Sequence, residues 1–231
     1  MSRTLRISLS LAAGLLVLIL LVWATIARPP GLDNLLPVAL FGLLIAFTTT
    51  FGVPLAGGRI SLLPTTTIAA YLVLGPLWTA WAAFAGAAMH MVIRYRWAKA
   101  LEEQLEPGLL PALSLVATNG SVQVASILAG SLTFHWAGST TPLTELSGAD
   151  LPALLLLSLT YLGTNLVLIA SVFAARGREP LKLYLHSLPN VLIYEGLPMV
   201  FSPLLASVYT QLGLVLFAIL AVGLIACLLY T

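Results

Sequence analysis

The residue in this chain best placed to do chemistry is a carboxylate inside an apolar run. Glu195 is the acidic residue of the segment 190–209, NVLIYEGLPMVFSPLLASVY. Near the centre of a bilayer a charged side chain costs about 2.5–3.5 kcal/mol on insertion scales. Glu195 must therefore be protonated, paired with a base or turned toward water. His90, Arg94 and His186 are the candidate charge partners. Gly196 and Pro198 follow at once. A helix broken there would relieve the carboxylate and form a binding niche in one step. The plainer alternative is a side chain near the cytoplasmic end of its helix that snorkels to the interface.

Amides supply the second set of candidates. Asn119 and Gln123 lie four residues apart, so they share one face of a helix. Asn165 falls in the middle of a later apolar segment. The three could converge with Glu195 on a small polar ligand. They could equally tie helices together, since amides in lipid usually hydrogen-bond between helices for roughly 0.6–2 kcal/mol. His90 precedes Arg94 by one helical turn, and both also fit a collar at the cytoplasmic end of a helix.

Other chemistries find no motif. A single cysteine, Cys227, rules out an internal disulfide, and no Cys/His spacing suggests zinc. The chain has no nucleophile elbow, metalloprotease motif or phosphate-binding loop. No catalytic residue, metal or cofactor is expected, and no enzymatic activity. The net charge of +2 comes from basic residues beside apolar segments, which gives no ground for a nucleic-acid partner.

The elements that position these residues follow from hydropathy. Of 231 residues 60% are hydrophobic and 8% charged, against roughly a quarter charged in a soluble domain. A spanning helix takes about 20 apolar residues. Helices are predicted over 5–27, 35–51, 60–74, 77–93, 109–134, 151–175, 188–209 and 214–230. Breakers separate them, notably Pro29-Pro30-Gly31, the Gly/Pro-rich turn 52–59, Gly75-Pro76 and 211–213. The stretch 97–107 reads as a short amphipathic helix on the membrane surface. Arg3, Arg6, Arg59, Arg94, Arg96, Lys99, Arg176, Arg178 and Lys182 then share one side, with Arg28 on the other. Cytoplasmic loops hold Lys and Arg, so both termini are expected in the cytoplasm. The expected fold is an all-α, polytopic bundle of six to eight transmembrane helices. Six applies if the pair 60–93 is a re-entrant hairpin. Residues 1–231 form a single integral-membrane domain with no soluble domain.

The run FGVPLAGGRISLLPTTTIAAYLVLGPLWTAWAAFAGAAM over 51–89 resembles a multi-pass N-terminal membrane region of bacterial signalling proteins. Those proteins carry HD-GYP, GGDEF or histidine-kinase output domains. Asn119 with Gln123, and Asn165 in the stretch from Tyr161, match further positions of that pattern. The Gly-Pro hairpin is also similar to that of the S-components of energy-coupling-factor transporters. The sequence ends at Thr231, where a signalling protein would continue into its output domain. The resemblance implies either an input region of a longer protein or a stand-alone relative that acts through partners.

The expectation is a sensory module in a bacterial inner membrane. It would bind a small or lipophilic ligand, or sense the membrane state, and relay to a cytoplasmic or membrane protein partner. The alternatives are a substrate-binding transport subunit and a structural subunit of a larger membrane complex.

Overall fold

The computed structural model describes residues 2–27, 31, 34–55, 58–97, 108–143 and 145–230. Of residues 53–55, 58–60, 214, 218, 220–222 and 224–230 the backbone alone is described. Among the described residues seven helices carry the fold: α1 (Arg3–Ala27), α2 (Leu35–Thr50), α3 (Leu63–Arg96), α4 (Leu109–Trp136), α5 (Leu151–Arg176), α6 (Arg178–Val191) and α7 (Ser202–Tyr230). A short antiparallel ribbon, β1 (Val53–Leu55) with β2 (Gly58–Ile60), joins α2 to α3. The all-α expectation holds. Among the described residues five helical runs are long and apolar enough to cross a membrane: α1, α3, α4, α5 and the run 178–213. At 16 residues, α2 is a shorter apolar helix.

Residues 63–96 fold as a helical hairpin. A straight helix would put Thr66 and His90 about 36 Å apart. Yet Thr66 meets Thr48, and His90 meets Thr50, at the same end of α2. The chain reverses at Gly75, which adopts φ 74° and ψ 178°. That conformation is close to glycine-only, and Pro76 cannot donate a helical hydrogen bond across the break. The predicted Gly75-Pro76 break is therefore present, with arms 63–74 and 76–96.

The second reversal, predicted over 211–213, contracts to the single residue Gly213, at φ 78° and ψ 175°. Tyr209 and Phe217 lie on either side of it. Their rings meet each other edge to face at 5.4 Å, and both pack at a tilt against Phe41 of α2. Eight residues of straight helix would separate them by about 12 Å.

Side-chain contacts fix the helix directions. The Thr118 hydroxyl donates to Ser10 Oγ, and Leu21 packs with Val124, so α1 and α4 run parallel. Trp81 Nε1 donates to Thr25 Oγ1 near the far end of α1, so the second arm of α3 runs antiparallel to both. Gly130 abuts Leu157, and Gln123 meets Tyr161, so α5 returns antiparallel to α4. Arg3, Arg6, Arg94, Arg96, Arg176, Arg178 and Lys182 consequently gather at one end of the bundle.

Helix contacts are close because small residues line them. A Cβ on Gly86 would lie 2.6 Å from Ile45 Cγ2, so α2 and α3 touch almost backbone to backbone. Phe41, Leu44, Tyr71, Ile127, Phe134, Leu157 and Tyr161 form the buried centre. At the other end of the bundle the loop after α4 folds back over the α3 hairpin. Leu143 N–H donates to Leu72 O at 2.7 Å, and Thr141 Oγ1 would lie 3.3 Å from a Cβ on Gly75.

Three expectations change. The turn over 52–59 contains the β1–β2 ribbon, with Val53 opposite Ile60 and Pro54 opposite Arg59. The β-branched Val53 and Ile60 favour strand geometry, and an isolated ribbon has free edges on which Pro54 is tolerated. The helix predicted from 188 starts ten residues earlier, at Arg178. Gly196 and Pro198 do not break it. The run 192–201 stays helical in its dihedrals but loosens into a π turn (Leu192–Gly196) and then tightens into a 3-10 turn (Leu197–Phe201). The amphipathic helix expected over 97–107 lies, beyond Trp97, outside the described residues, as does most of the turn expected over 28–34.

Candidate functional site

The changes of winding between α6 and α7 put Glu195 where regular helices would not. A π turn adds a residue to one turn of helix and shifts the faces that follow. Glu195 is half-buried on this turn, and its Oε1 accepts the backbone N–H of Ser61 at 3.2 Å. Ser61 lies between β2 and α3. Two irregular backbone segments, 134 residues apart in sequence, therefore meet at one carboxylate. The Ser61 hydroxyl in turn accepts the N–H of Leu63, in the first turn of α3. The carboxylate thus lies at the positive end of a helix dipole.

The depth of this junction is set by α5. A Cβ on Gly196 would touch Leu162 Cδ2. Leu162 is about 21 Å along α5 from Arg176, roughly half the helix. Glu195 is thus deeper than a position near the end of its helix, because the helical run begins at Arg178. Snorkelling to the basic end would have to cover that length.

Beside the carboxylate a polar seam runs between α3, α4 and α5. The Tyr161 hydroxyl donates to Gln123 Oε1, with both side chains buried. Thr67 Oγ1 faces the same phenol and has no hydrogen bond of normal geometry among the described residues. Asn165 lies one turn along α5 from Tyr161 and is buried. The hydroxyls of Tyr161 and Tyr184 are within electrostatic reach of Glu195. Tyr184 comes from α6, stacks on Phe173 and donates to Leu166 O at 3.3 Å. Higher on the hairpin arm, the Tyr71 hydroxyl faces Ser131 and Thr141. The buried hydroxyls of Thr65 and Ser202 have no hydrogen-bond partner among the described residues, and a buried hydroxyl left so costs about 1–3 kcal/mol.

Gln123 and Glu195 therefore both lie beside Tyr161, and Asn165 is buried one turn along the same helix. Asn119 shares the face of Gln123 but is half-buried one turn earlier on α4. The charge partners do not join them. His90 is buried with Nδ1 2.8 Å from Thr50 Oγ1. Arg94 lies in the last turn of α3, and His186 is exposed on α6. Among the described residues Glu195 makes no ion pair with any of the three. Tyr161, Thr67, Tyr184 and Ser61 complete the seam without having been singled out as site residues. Two of them had a signal in the sequence: Tyr161 is four from Asn165 on one helix face, and Thr67 belongs to a hydroxyl run in an apolar segment.

At the other end of the bundle, ahead of α5, Asp150 accepts from the hydroxyl and N–H of Ser147. These bonds hold its carboxyl below the ordinary carboxylate range. This turn staples the loop that covers Gly75 and lies away from the seam.

No group of three or more His, Cys, Asp or Glu residues that could hold a metal ion occurs among the described residues. Comparison with protein-family models, with curated proteins and with solved structures finds no match to this chain.

Proposed function

We propose that this chain is a multi-pass membrane sensory module, seated in a bacterial inner membrane with both termini in the cytoplasm. It binds a small ligand in the polar seam between α3, α4, α5 and the π turn, and relays occupancy through α7 to a protein partner. The observation that carries this reading is the Glu195–Ser61 contact beside the Gln123–Tyr161 pair. Irregular backbone at membrane depth is tolerated where it is buried in protein or lines a cavity. An ionisable side chain there marks a functional site by default. Seven basic residues at one end of the bundle support the orientation.

The relay has a physical route. Glu195 is joined through the 3-10 turn 197–201 directly to α7. α7 contacts both the α3 hairpin and α2. A ligand that favours one winding of 192–201 over another would shift α7 by its difference in affinity for the two states.

The test is native mass spectrometry of the chain purified in mild detergent. A reproducible small-molecule adduct is expected, lost in Asn165→Ala and in Gln123→Leu. Copurification of protein chains alone, without any adduct, would replace this reading with that of a structural subunit.

A further inference from the structure

The outward face of the run 178–204 has a second use, which rests on the membrane seating proposed above and not on a ligand in the seam. We infer that this face binds an anionic phospholipid from the leaflet at the basic end of the bundle. The headgroup phosphate lies against Arg178, Lys182 and His186, and an acyl chain lies along the apolar side chains that follow.

The run has two sides. Tyr184, Ser187 and Met199 are buried on the inner one. The Tyr184 ring stacks on Phe173 of α5 at 5.0 Å, its hydroxyl donates to Leu166 O, and Gly196 lies against Leu162. α6 therefore runs back along α5, starting beside Arg176. The outer side changes character along its length. Arg178, Lys182 and His186, at four-residue intervals, share one helix face and are exposed. Farther along, Ile193, Leu197, Val200 and Leu204 are exposed.

Depth decides what the basic residues meet. α5 has 26 residues, about 39 Å of helix, close to the roughly 40–45 Å of a bilayer with its headgroups. Arg176 and Arg178 then stand at headgroup level. Each headgroup layer is about 5–7 Å thick, around a hydrocarbon core of about 30 Å. Lys182 is about 6 Å and His186 about 12 Å inward from Arg178, so they reach the hydrocarbon boundary and pass it. Water is absent beyond that boundary, and their N–H groups need acceptor oxygens. A phospholipid supplies phosphate and ester oxygens at this level. From Lys182 to Leu197 is about 22 Å of helix, the depth of one leaflet. A lipid with its phosphate at Lys182 thus ends its chain near Leu197.

Charge selects the anionic class. The Glu179 carboxylate, 4.0 Å from Lys182, offsets part of the positive charge of this face. Arg176, over the Phe173 ring at 5.4 Å, adds to it at the same corner. A zwitterionic lipid brings its own ammonium group against these cations. An anionic lipid brings none, and gains about fivefold in affinity for each Lys or Arg beside it. The stretch 98–107, which holds Glu102, Glu103 and Glu106, is the competing occupant from this chain.

The experiment uses the full chain in phosphatidylcholine nanodiscs that hold a small share of a lipid with a diazirine in its acyl chain. That lipid is phosphatidylglycerol in one series and phosphatidylcholine in the other. Crosslinked peptides are mapped by mass spectrometry. The stretch 193–204 is expected to take up phosphatidylglycerol about fivefold more than phosphatidylcholine. The α4 stretch with Leu128 and Leu132, exposed and away from the basic end, should take up both equally and reports insertion. Arg178→Gln with Lys182→Gln should bring 193–204 down to the phosphatidylcholine level, whereas Glu179→Gln should raise the preference. The comparison of two lipids in the parent chain needs no variant, so it stands if a variant fails to fold. Equal labelling of 193–204 by both lipids, with α4 also labelled, overturns the inference and leaves the membrane seating standing. Labelling of α4 but not of 193–204 by either lipid also overturns it, and assigns the face to protein. Recovery on changing Glu102, Glu103 and Glu106 to Gln would then name the chain's own acidic stretch. Loss of the preference in millimolar glycerol phosphate overturns it in favour of a free phosphate compound. Absence of α4 labelling by both lipids would remove the membrane seating itself, and this inference with it.

Discussion

The phenol of Tyr161 donates its hydrogen to Gln123 Oε1, joining α5 to α4 where both side chains are buried. Removing one partner strands the other in an apolar interior. Tyr161→Phe and Gln123→Leu should each destabilise the folded protein by about 1–3 kcal/mol. The double variant should cost less than their sum, because the second change removes a polar atom already orphaned. Unfolding of the three variants in detergent, set out as a cycle, measures the coupling. Strict additivity would mean that the pair is not a working hydrogen bond.

Gly75 and Gly213 turn two helical hairpins through the same dihedrals, but their surroundings differ. A Cβ on Gly75 meets Thr141 Oγ1 at 3.3 Å, whereas a Cβ on Gly213 meets nothing within 4 Å. Gly213→Ala should cost the backbone strain alone, about 1–3 kcal/mol. Gly75→Ala should cost at least as much, and should also loosen the covering loop 137–147. Thermal unfolding ranks the two, and hydrogen exchange at Leu143 N–H reports the loop.

Helix contact through glycine can be tested by a matched pair. Gly86→Ala would force a Cβ to 2.6 Å from Ile45 Cγ2 and 3.0 Å from Gly42 O. It should destabilise by about 1–3 kcal/mol, as overpacking does. Gly163→Ala, on α5 with nothing within 4 Å, should instead gain about 0.5–1 kcal/mol from helix propensity. Equal effects of the two changes would contradict the close approach of α2 to α3.

The anchoring of α1 rests on few contacts, since most of its surface is exposed. Gly14 lies where a Cβ would come within 2.5 Å of Ala117 Cβ, and Thr25 accepts from Trp81 Nε1. Gly14→Leu should therefore separate α1 from α4 while the α2–α3–α7 core stays folded. A cysteine pair at positions 10 and 118 should form a disulfide in the parent chain and fail to form in that variant.

The Asp150 turn carries a pH dependence with a definite sign. Its carboxyl is held low by the Ser147 hydroxyl, then by the Ser147 N–H. A carboxyl lower in the folded than in the unfolded state contributes stability above its unfolded value, and loses it as pH falls through the folded one. The turn should therefore open only in acid below the ordinary carboxylate range. Ser147→Ala should move that opening upward in pH, which a carbon-13 NMR titration of Asp150 would follow.

Hydropathy alone determined that the chain is all-helical, because runs of apolar residues this long satisfy their backbone only as helices. It also located both reversals, since Gly75-Pro76 and Gly213 carry local backbone constraints that a single residue imposes. The clustering of basic residues was legible for a similar reason, as it follows from the order of helices and turns. Other features depended on partners distant in sequence. The ribbon over 53–60 is defined by cross-strand pairing, which no local period reveals in three-residue strands. Glu195, on the rewound run 192–201, meets Ser61, 134 residues away, and Gly196 and Pro198 read as breakers where the helix changes its winding. Gln123, Asn165 and Glu195 were visible as polar residues in apolar runs. Their meeting with Tyr161, Thr67 and Tyr184, and the placing of His90 on Thr50 instead, came from how α3, α4, α5 and α6 pack. Sequence fixes which side chains a helix offers; packing against other helices decides which of them face one another.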